Sequence, residues 1–226
     1  GIFQRVTFPV LSKIQDDPEK LRNAYLKFLN MATLVVFPLM IGLASIAKPF
    51  ILLVLTEKWV GAILILQIIC FAQMWYPVHS INLNILQVLG RSDLFLKLEI
   101  IKKAVGITVL CITLPYGIIA MCFGQWFNAC FGLVVNTYYS GKLLNAGLLP
   151  QLKMYIPTLL NSLVMGGISL GVTQLLPEKE YGLQLGLGIA AGAIYYAASN
   201  WLFNKAVIKE LLELLQRKKA GNANPC

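Results

Sequence analysis

Residues 60–89 read VGAILILQIICFAQMWYPVHSINLNILQVL, thirty positions without a single Asp, Glu, Lys or Arg. At helical rise such a stretch reaches about 45 Å, more than the roughly 30 Å of a bilayer's hydrocarbon core. A helix at the surface of a soluble domain needs a polar face towards water, and this stretch carries no charge on any face. Pro77 removes a backbone donor inside it, so the sequence predicts one long helix kinked at that point.

The same pattern continues on both sides. No charged residue occurs in 28–47, 59–90, 104–141, 154–177 or 181–204. Hydrophobic residues make up 58% of the 226 and charged ones 13%, about half the share usual in soluble domains; the mean hydropathy is +0.70. Six crossings fit these gaps, at 28–47, 60–89, 95–114, 118–138, 156–176 and 183–203, with Pro115-Tyr116-Gly117 turning the chain between the third and fourth. The fold class expected is all-α, an integral membrane helical bundle of about six transmembrane helices. Two further segments are expected to lie on the membrane. Residues 48–59 (KPFILLVLTEKW) are too short to span and end in a tryptophan, and 205–219 set apolar positions against a basic end as in an amphipathic helix. The chain starts at Gly1 within a helix-like run, without Met or a signal peptide, and reads as truncated, with residues 1–10 ending an earlier span.

Basic residues fix the expected orientation. With six crossings, sixteen of the nineteen Lys and Arg fall on the side of the two chain ends, and only Lys48, Lys58 and Lys179 fall opposite. Positive charge stays on the cytoplasmic side, so both ends are expected there. The formal charge of +9 does not indicate nucleic acid, because the cations sit between apolar spans and form no stripe with exposed aromatics. Cys70, Cys111, Cys122 and Cys130 lie in apolar spans and Cys226 is terminal; none stands in a CxxC pair, so neither zinc nor a disulfide framework is indicated, and the four read as small packing residues.

Enzymatic constellations are scarce. His79 is the one histidine; beside the Pro77 kink it reads as a packing or hydrogen-bonding residue in preference to a proton relay. No GxSxG, P-loop or paired intramembrane carboxylate occurs, and the expected outer connections are short. No enzyme activity, cofactor or metal is expected.

Two polar stripes stand out. Gln73, Tyr76, Ser80, Asn84 and Gln87 are spaced 3, 4, 4 and 3 residues apart, and Gln125, Asn128, Gly132, Asn136 and Tyr139 repeat that spacing. At about 100° per residue the first set falls within a sector of roughly 80°. Polar side chains avoid lipid, so each stripe faces partner helices or a water-filled cavity. A single amide fits interhelical bonding; two whole stripes favour a hydrated cavity. Gly166, Gly167, Gly171, Gly182, Gly186, Gly188 and Gly192 include GxxxG spacings that let helices pack closely. At the cytoplasmic mouth, Arg91 stands in GRSD, and Glu99 precedes Lys102 and Lys103 by three and four positions. These form either a solvated ion-paired loop or a basic entrance for an anionic head group.

The runs RVTFPVLSKIQDDPEKLRNAY (5–25), FPLMIGLASIAKPFILLVLTEKW (37–59) and YPVHSINLNILQVLGRSDLFLKLEIIKK (76–103) resemble the Wzx-type polysaccharide flippases of the multidrug/oligosaccharidyl-lipid/polysaccharide (MOP) superfamily. The resemblance covers about 5–140 well and the last two spans by pattern. It implies a transporter of two six-helix lobes around a central cavity, working by alternating access. Residues 1–140 would then be the C-terminal part of the second lobe with its cytoplasmic entrance segment, 141–204 two additional helices, and 205–226 a cytoplasmic tail; the N-terminal lobe would be a partner outside this chain. The implied substrate is an undecaprenyl-pyrophosphate-linked oligosaccharide, crossing the bacterial inner membrane for surface polysaccharide or lipopolysaccharide synthesis. Members of the family often hold cations inside the cavity, whereas here the spans carry charge only near their ends, which leaves Arg91, Lys102 and Lys103 as head-group candidates. A drug or cation antiporter of the same superfamily, or a membrane enzyme of glycan assembly, are the alternatives; the antiporter would need an intramembrane carboxylate, for which only Glu99 is available.

Overall fold

The computed structural model describes residues 2–177 and 180–203, with side chains from 7 to 202. The amphipathic segment expected at 205–219 lies outside the described residues, as do Arg5's side chain and Lys179. The described chain folds as helices and turns alone.

Helix α1 (Ile2–Ser12) leads through a turn to α2 (Pro18–Ser45). Asp17 caps α2, its carboxylate accepting from the Lys20 backbone N–H at 3.1 Å, and Pro18 opens the first turn, where a missing N–H costs nothing. The Lys20 ammonium pairs with the same carboxylate at 2.9 Å and holds it below the usual carboxylate range. After a bend at Ile46, α3 (Ala47–Val54) and a 3₁₀ turn at Glu57–Trp59 carry the chain to α4 (Ala62–Gln73).

The opening stretch is not one kinked helix. It is α4 followed by α5 (Tyr76–Val88), broken at Met74 and Trp75. The break falls just ahead of Pro77 because proline has no N–H to continue the ladder, yet suits the first turn of a new helix. His79 N–H then picks up the Trp75 carbonyl at 3.0 Å. Gly90, at φ +69°, turns the chain into α6 (Ser92–Thr113). Gly117, at φ +88°, follows the 3₁₀ turn Leu114–Tyr116 and starts α7 (Ile118–Leu144). Asn145, in the left-handed region at φ 51°, ends α7, and α8 (Leu148–Leu175) and α9 (Tyr181–Phe203) complete the bundle.

Helix α2 packs on α8, α8 on α9, α4 and α6 on α7, and α5 on α1, α2 and α7. Between α2, α5 and α8 lies an aromatic knot. Phe37, Trp75 and Tyr155 meet edge to face, with ring centroids 5.2 Å apart for Phe37–Trp75 and 6.3 Å for the other two pairs. The outside is apolar: α6 buries only Leu98 and exposes Leu96, Ile100, Ile107, Leu110 and Ile112. Such a surface would associate in water and is at home in hydrocarbon.

Four segments, Pro18–Ser45, Ala62–Val88, Ile118–Leu144 and Leu148–Leu175, are long and apolar enough to cross a membrane by length and composition. The protein is an all-α membrane bundle. The helices begin earlier than the expected crossings, α2 by ten residues and α8 by eight, because a helix runs past the hydrocarbon into the interface where charged residues are at ease. Cys70 and Cys122 are buried, but Cys111 is exposed on the apolar face of α6 and packs against nothing inside.

Candidate functional site

A cavity of about 400 Å³ opens between α4–α5, α6 and α7. The α4–α5 wall consists of Gln73, Tyr76, His79, Ser80 and Leu83; α7 supplies Gln125, Asn128 and Gly132; α6 supplies Phe95, Glu99 and Lys102. Gly132 leaves room for the His79 ring beside α7: a Cβ there would sit 3.3 Å from His79 Cε1 and 3.7 Å from Lys102 Cδ. Asn136, one turn further along α7, presents its amide to the ring, with Asn136 Nδ2 and His79 Nδ1 3.3 Å apart. His79 Nε2 and Asn128 Oδ1 are both buried without a hydrogen-bond partner among the described residues.

The charge in the cavity is an ion pair. Lys102 Nζ lies 2.5 Å from Glu99 Oε1, with side chains only 20% and 29% exposed. The i,i+3 spacing on α6 puts both on one face, and each neutralises a partner that would be costly to bury alone.

The two stripes do not act as two continuous walls. Gln73, Tyr76 and Ser80 line the cavity, as do Gln125 and Asn128. Asn84, one turn beyond Ser80 along the same face of α5, is fully buried and donates to Thr7 Oγ1 of α1. Gln87 is partly buried, off the cavity wall. Asn136 is buried behind His79. Of the three basic candidates, Lys102 alone lines the cavity. Lys103 points outward, and Arg91 is exposed at the start of α6, bound through two nitrogens to Asp93 at 3.0 and 2.9 Å. That bidentate bond holds the Asp93 carboxyl below its ordinary value and raises the Arg91 guanidinium above its own.

A second polar cluster, absent from the stripes, is fully buried. The Tyr25 hydroxyl donates to Asn82 Oδ1 at 2.5 Å, and Ser140 Oγ donates to the same oxygen at 2.6 Å. Gln151 Nε2 donates to Tyr25 Oη and to the Ala146 carbonyl, both at 2.8 Å, and the Tyr155 hydroxyl donates to Gln151 Oε1 at 2.8 Å. This cluster joins α2, α5, α7 and α8. The one sign of it in the sequence is Asn82, an amide in an apolar run two positions from Ser80 and two from Asn84.

Fold and cavity together define a helical integral membrane protein with a polar, ion-paired chamber among its helices. Residues 1–64 match the family described as "Polysaccharide biosynthesis protein". The chain is 32% identical over 139 residues, 62% of its length, to the lipopolysaccharide biosynthesis protein WzxC of Escherichia coli K12. It is 28% identical over 209 residues, 86% of its length, to the teichuronic acid biosynthesis protein TuaB of Bacillus subtilis 168. An uncharacterized membrane protein in the cps region of Klebsiella pneumoniae is 38% identical over 109 residues, 48% of the chain. These matches make the chain similar to proteins named for polysaccharide, lipopolysaccharide and teichuronic acid biosynthesis. The aligned stretches span 28%, 41% and 22% of the lengths of WzxC, TuaB and the Klebsiella protein, respectively. No solved structure matches the chain.

Proposed function

We propose that the protein takes part in moving an undecaprenyl-pyrophosphate-linked oligosaccharide from the inner to the outer leaflet of a bacterial cytoplasmic membrane, by alternating access and without catalysing a covalent step. On this reading α6 and α9, of 22 and 23 residues, join the four apolar spans to give six crossings. Both chain ends are cytoplasmic, and a further lobe completes the chamber. The observation that carries the reading is Lys102, a cation held inside a polar cavity of a membrane bundle. Water, amides and one cation are what a sugar pyrophosphate needs when it leaves the interface, since desolvating its charge without partners would cost several kcal/mol. The relatives' names point the same way, to glycan synthesis and not to drug export.

One observation favours the antiporter alternative. Glu99 lies in the cavity and is the carboxylate such a transporter would use. It is already engaged by Lys102, which weakens its case as a free cation site. The test is deletion of the gene in its host. The proposal expects surface polysaccharide to fall and the lipid-linked precursor to accumulate in the inner leaflet. Normal export without accumulation would remove it.

A further inference from the structure

The cavity that holds Lys102 is not a bare basic site. Its cation is already matched by Glu99 at 2.5 Å, from the same helix, with less than a third of either side chain exposed. The remaining polar groups, among them Gln73, Ser80, Gln125 and Asn128, are neutral. An anion arriving there has to compete with a carboxylate for Lys102.

We propose that Glu99 is a displaceable counter-ion that sets the specificity of the cavity, admitting multiply charged phosphate head groups and rejecting singly charged phosphodiesters. This rests on reading the Lys102 cavity as a head-group site. Coulomb attraction scales with the product of the charges. A phosphodiester of charge −1 offers Lys102 no more than Glu99 already gives, and its ordering makes the exchange unfavourable. A pyrophosphate diester carries two negative charges, so one can replace the carboxylate while the other takes hydrogen bonds from the neutral amides and hydroxyl. Anionic phospholipids are abundant at the cytoplasmic leaflet. An unpaired buried lysine would collect them, and the counter-ion keeps the chamber clear for the rarer ligand. The cavity's 400 Å³ falls near the lower end of the roughly 300–1,000 Å³ of small-molecule sites, which suits a head group and not a whole oligosaccharide.

The test uses the full-length protein in nanodiscs of zwitterionic lipid. Calorimetry would measure the Kd of geranylgeranyl pyrophosphate and of dioctanoyl-phosphatidylglycerol. The wild type should prefer the pyrophosphate by roughly tenfold or more, the scale of one uncompensated partly buried charge. Glu99→Gln should tighten phosphatidylglycerol binding and collapse that ratio, whereas Glu99→Asp, which keeps the charge, should retain it. Lys102→Gln should weaken pyrophosphate binding. If Lys102→Gln binds pyrophosphate like the wild type, the head-group reading falls and the counter-ion role with it. If Lys102→Gln weakens binding but Glu99→Gln keeps the wild-type ratio, the head-group site stands and the specificity role is overturned. Should Glu99→Gln fail to fold, the wild-type ratio decides, because equal affinity for the two probes overturns the proposal.

Discussion

Tyr25 and Gln151 stand 126 residues apart in the chain, and Gln151 Nε2 donates to the Tyr25 hydroxyl at 2.8 Å in a fully buried site. That hydroxyl in turn donates a hydrogen bond to Asn82 Oδ1, so three helices share one chain of hydrogen bonds, and Ser140 ties in a fourth. Inside a membrane bundle hydrophobic burial does little to choose helix partners, because lipid is as apolar as the core. A satisfied polar cluster can make that choice, since separating these helices would leave the buried Asn82 and Gln151 amides without their partners.

Asn82→Leu should therefore destabilise the bundle. It takes away the acceptor of the buried Tyr25 hydroxyl, and an unsatisfied buried group costs about 1–3 kcal/mol. Ser140 Oγ, by contrast, keeps the Asn136 and Thr137 carbonyls at 3.3 and 3.2 Å. Asn84→Leu removes one bond, to Thr7, and should cost less. Thermal unfolding of the detergent-solubilised protein, followed by size-exclusion fluorescence, ranks the two. Equal melting temperatures for Asn82→Leu and the wild type would contradict this role for the cluster.

The membrane class and the place of an interruption near Pro77 were legible in the sequence because each depends on one local property, although the continuous kinked helix expected there is two helices broken at Met74 and Trp75. Charge gaps longer than the bilayer exclude a soluble helix, and Pro77 cannot continue a hydrogen-bond ladder. The site was legible in part. A stripe read along one helix assumes that a face keeps the same neighbour throughout, whereas α5 lies beside the cavity at Tyr76–Ser80 and beside α1 at Asn84. Asn82 lies about 200° round the helix from Ser80 and from Asn84, so a search for one polar face passes over it. Arg91 and Lys102 were equivalent as sequence. What separates them is the rotation of α6, which turns Lys102 inward, while Asp93, two residues on, claims Arg91 outside.

The glycines of α9 divide by what they touch. A Cβ on Gly188 would meet Thr173 Cγ2 at 2.9 Å, and one on Gly192 would collide with Ser169 Oγ, whereas Gly186 has open space. Ser169 Oγ also donates to the Gly188 carbonyl at 2.8 Å, a bond that requires this close approach. Gly188→Leu and Gly192→Leu should each lower stability by about 1–3 kcal/mol, as overpacking does, and Gly186→Leu should leave it unchanged. The same melting assay checks the contrast.

Solvent access should follow the cavity and not the stripe. In a background without the native cysteines, single cysteines at Gln73, Ser80, Gln125 and Asn128 should react with a membrane-impermeant thiol reagent. Those at Asn84 and Asn136, which are 0% and 1% exposed, should be protected. Leu83, although apolar, lines the cavity and should label, whereas the fully buried Leu86 should not. Labelling at Asn84 equal to that at Ser80 would mean that α5 faces water along its whole length.

The three basic candidates should separate in cells. Lys102→Gln removes the only lysine or arginine lining the cavity among the described residues and leaves Glu99 there without its partner. Export of surface polysaccharide should fall severalfold, and the double change Glu99→Gln/Lys102→Gln, which leaves no unpaired charge, separates the loss of the cation from the cost of a stranded carboxylate. If the cation matters to transport, the double variant stays defective although its membrane abundance recovers. Arg91→Ala should export near the wild-type level, because Arg91 is exposed and bound to Asp93 outside the cavity. Lys103→Gln should do the same, since its side chain points away from the chamber. Immunoblots of membranes are needed beside the glycan measurement, because removing cytoplasmic positive charge also weakens the orientation signal. A double variant that exports normally at wild-type abundance would show that the head group is bound elsewhere, while a defect confined to Arg91→Ala would move the capture site to the exposed start of α6.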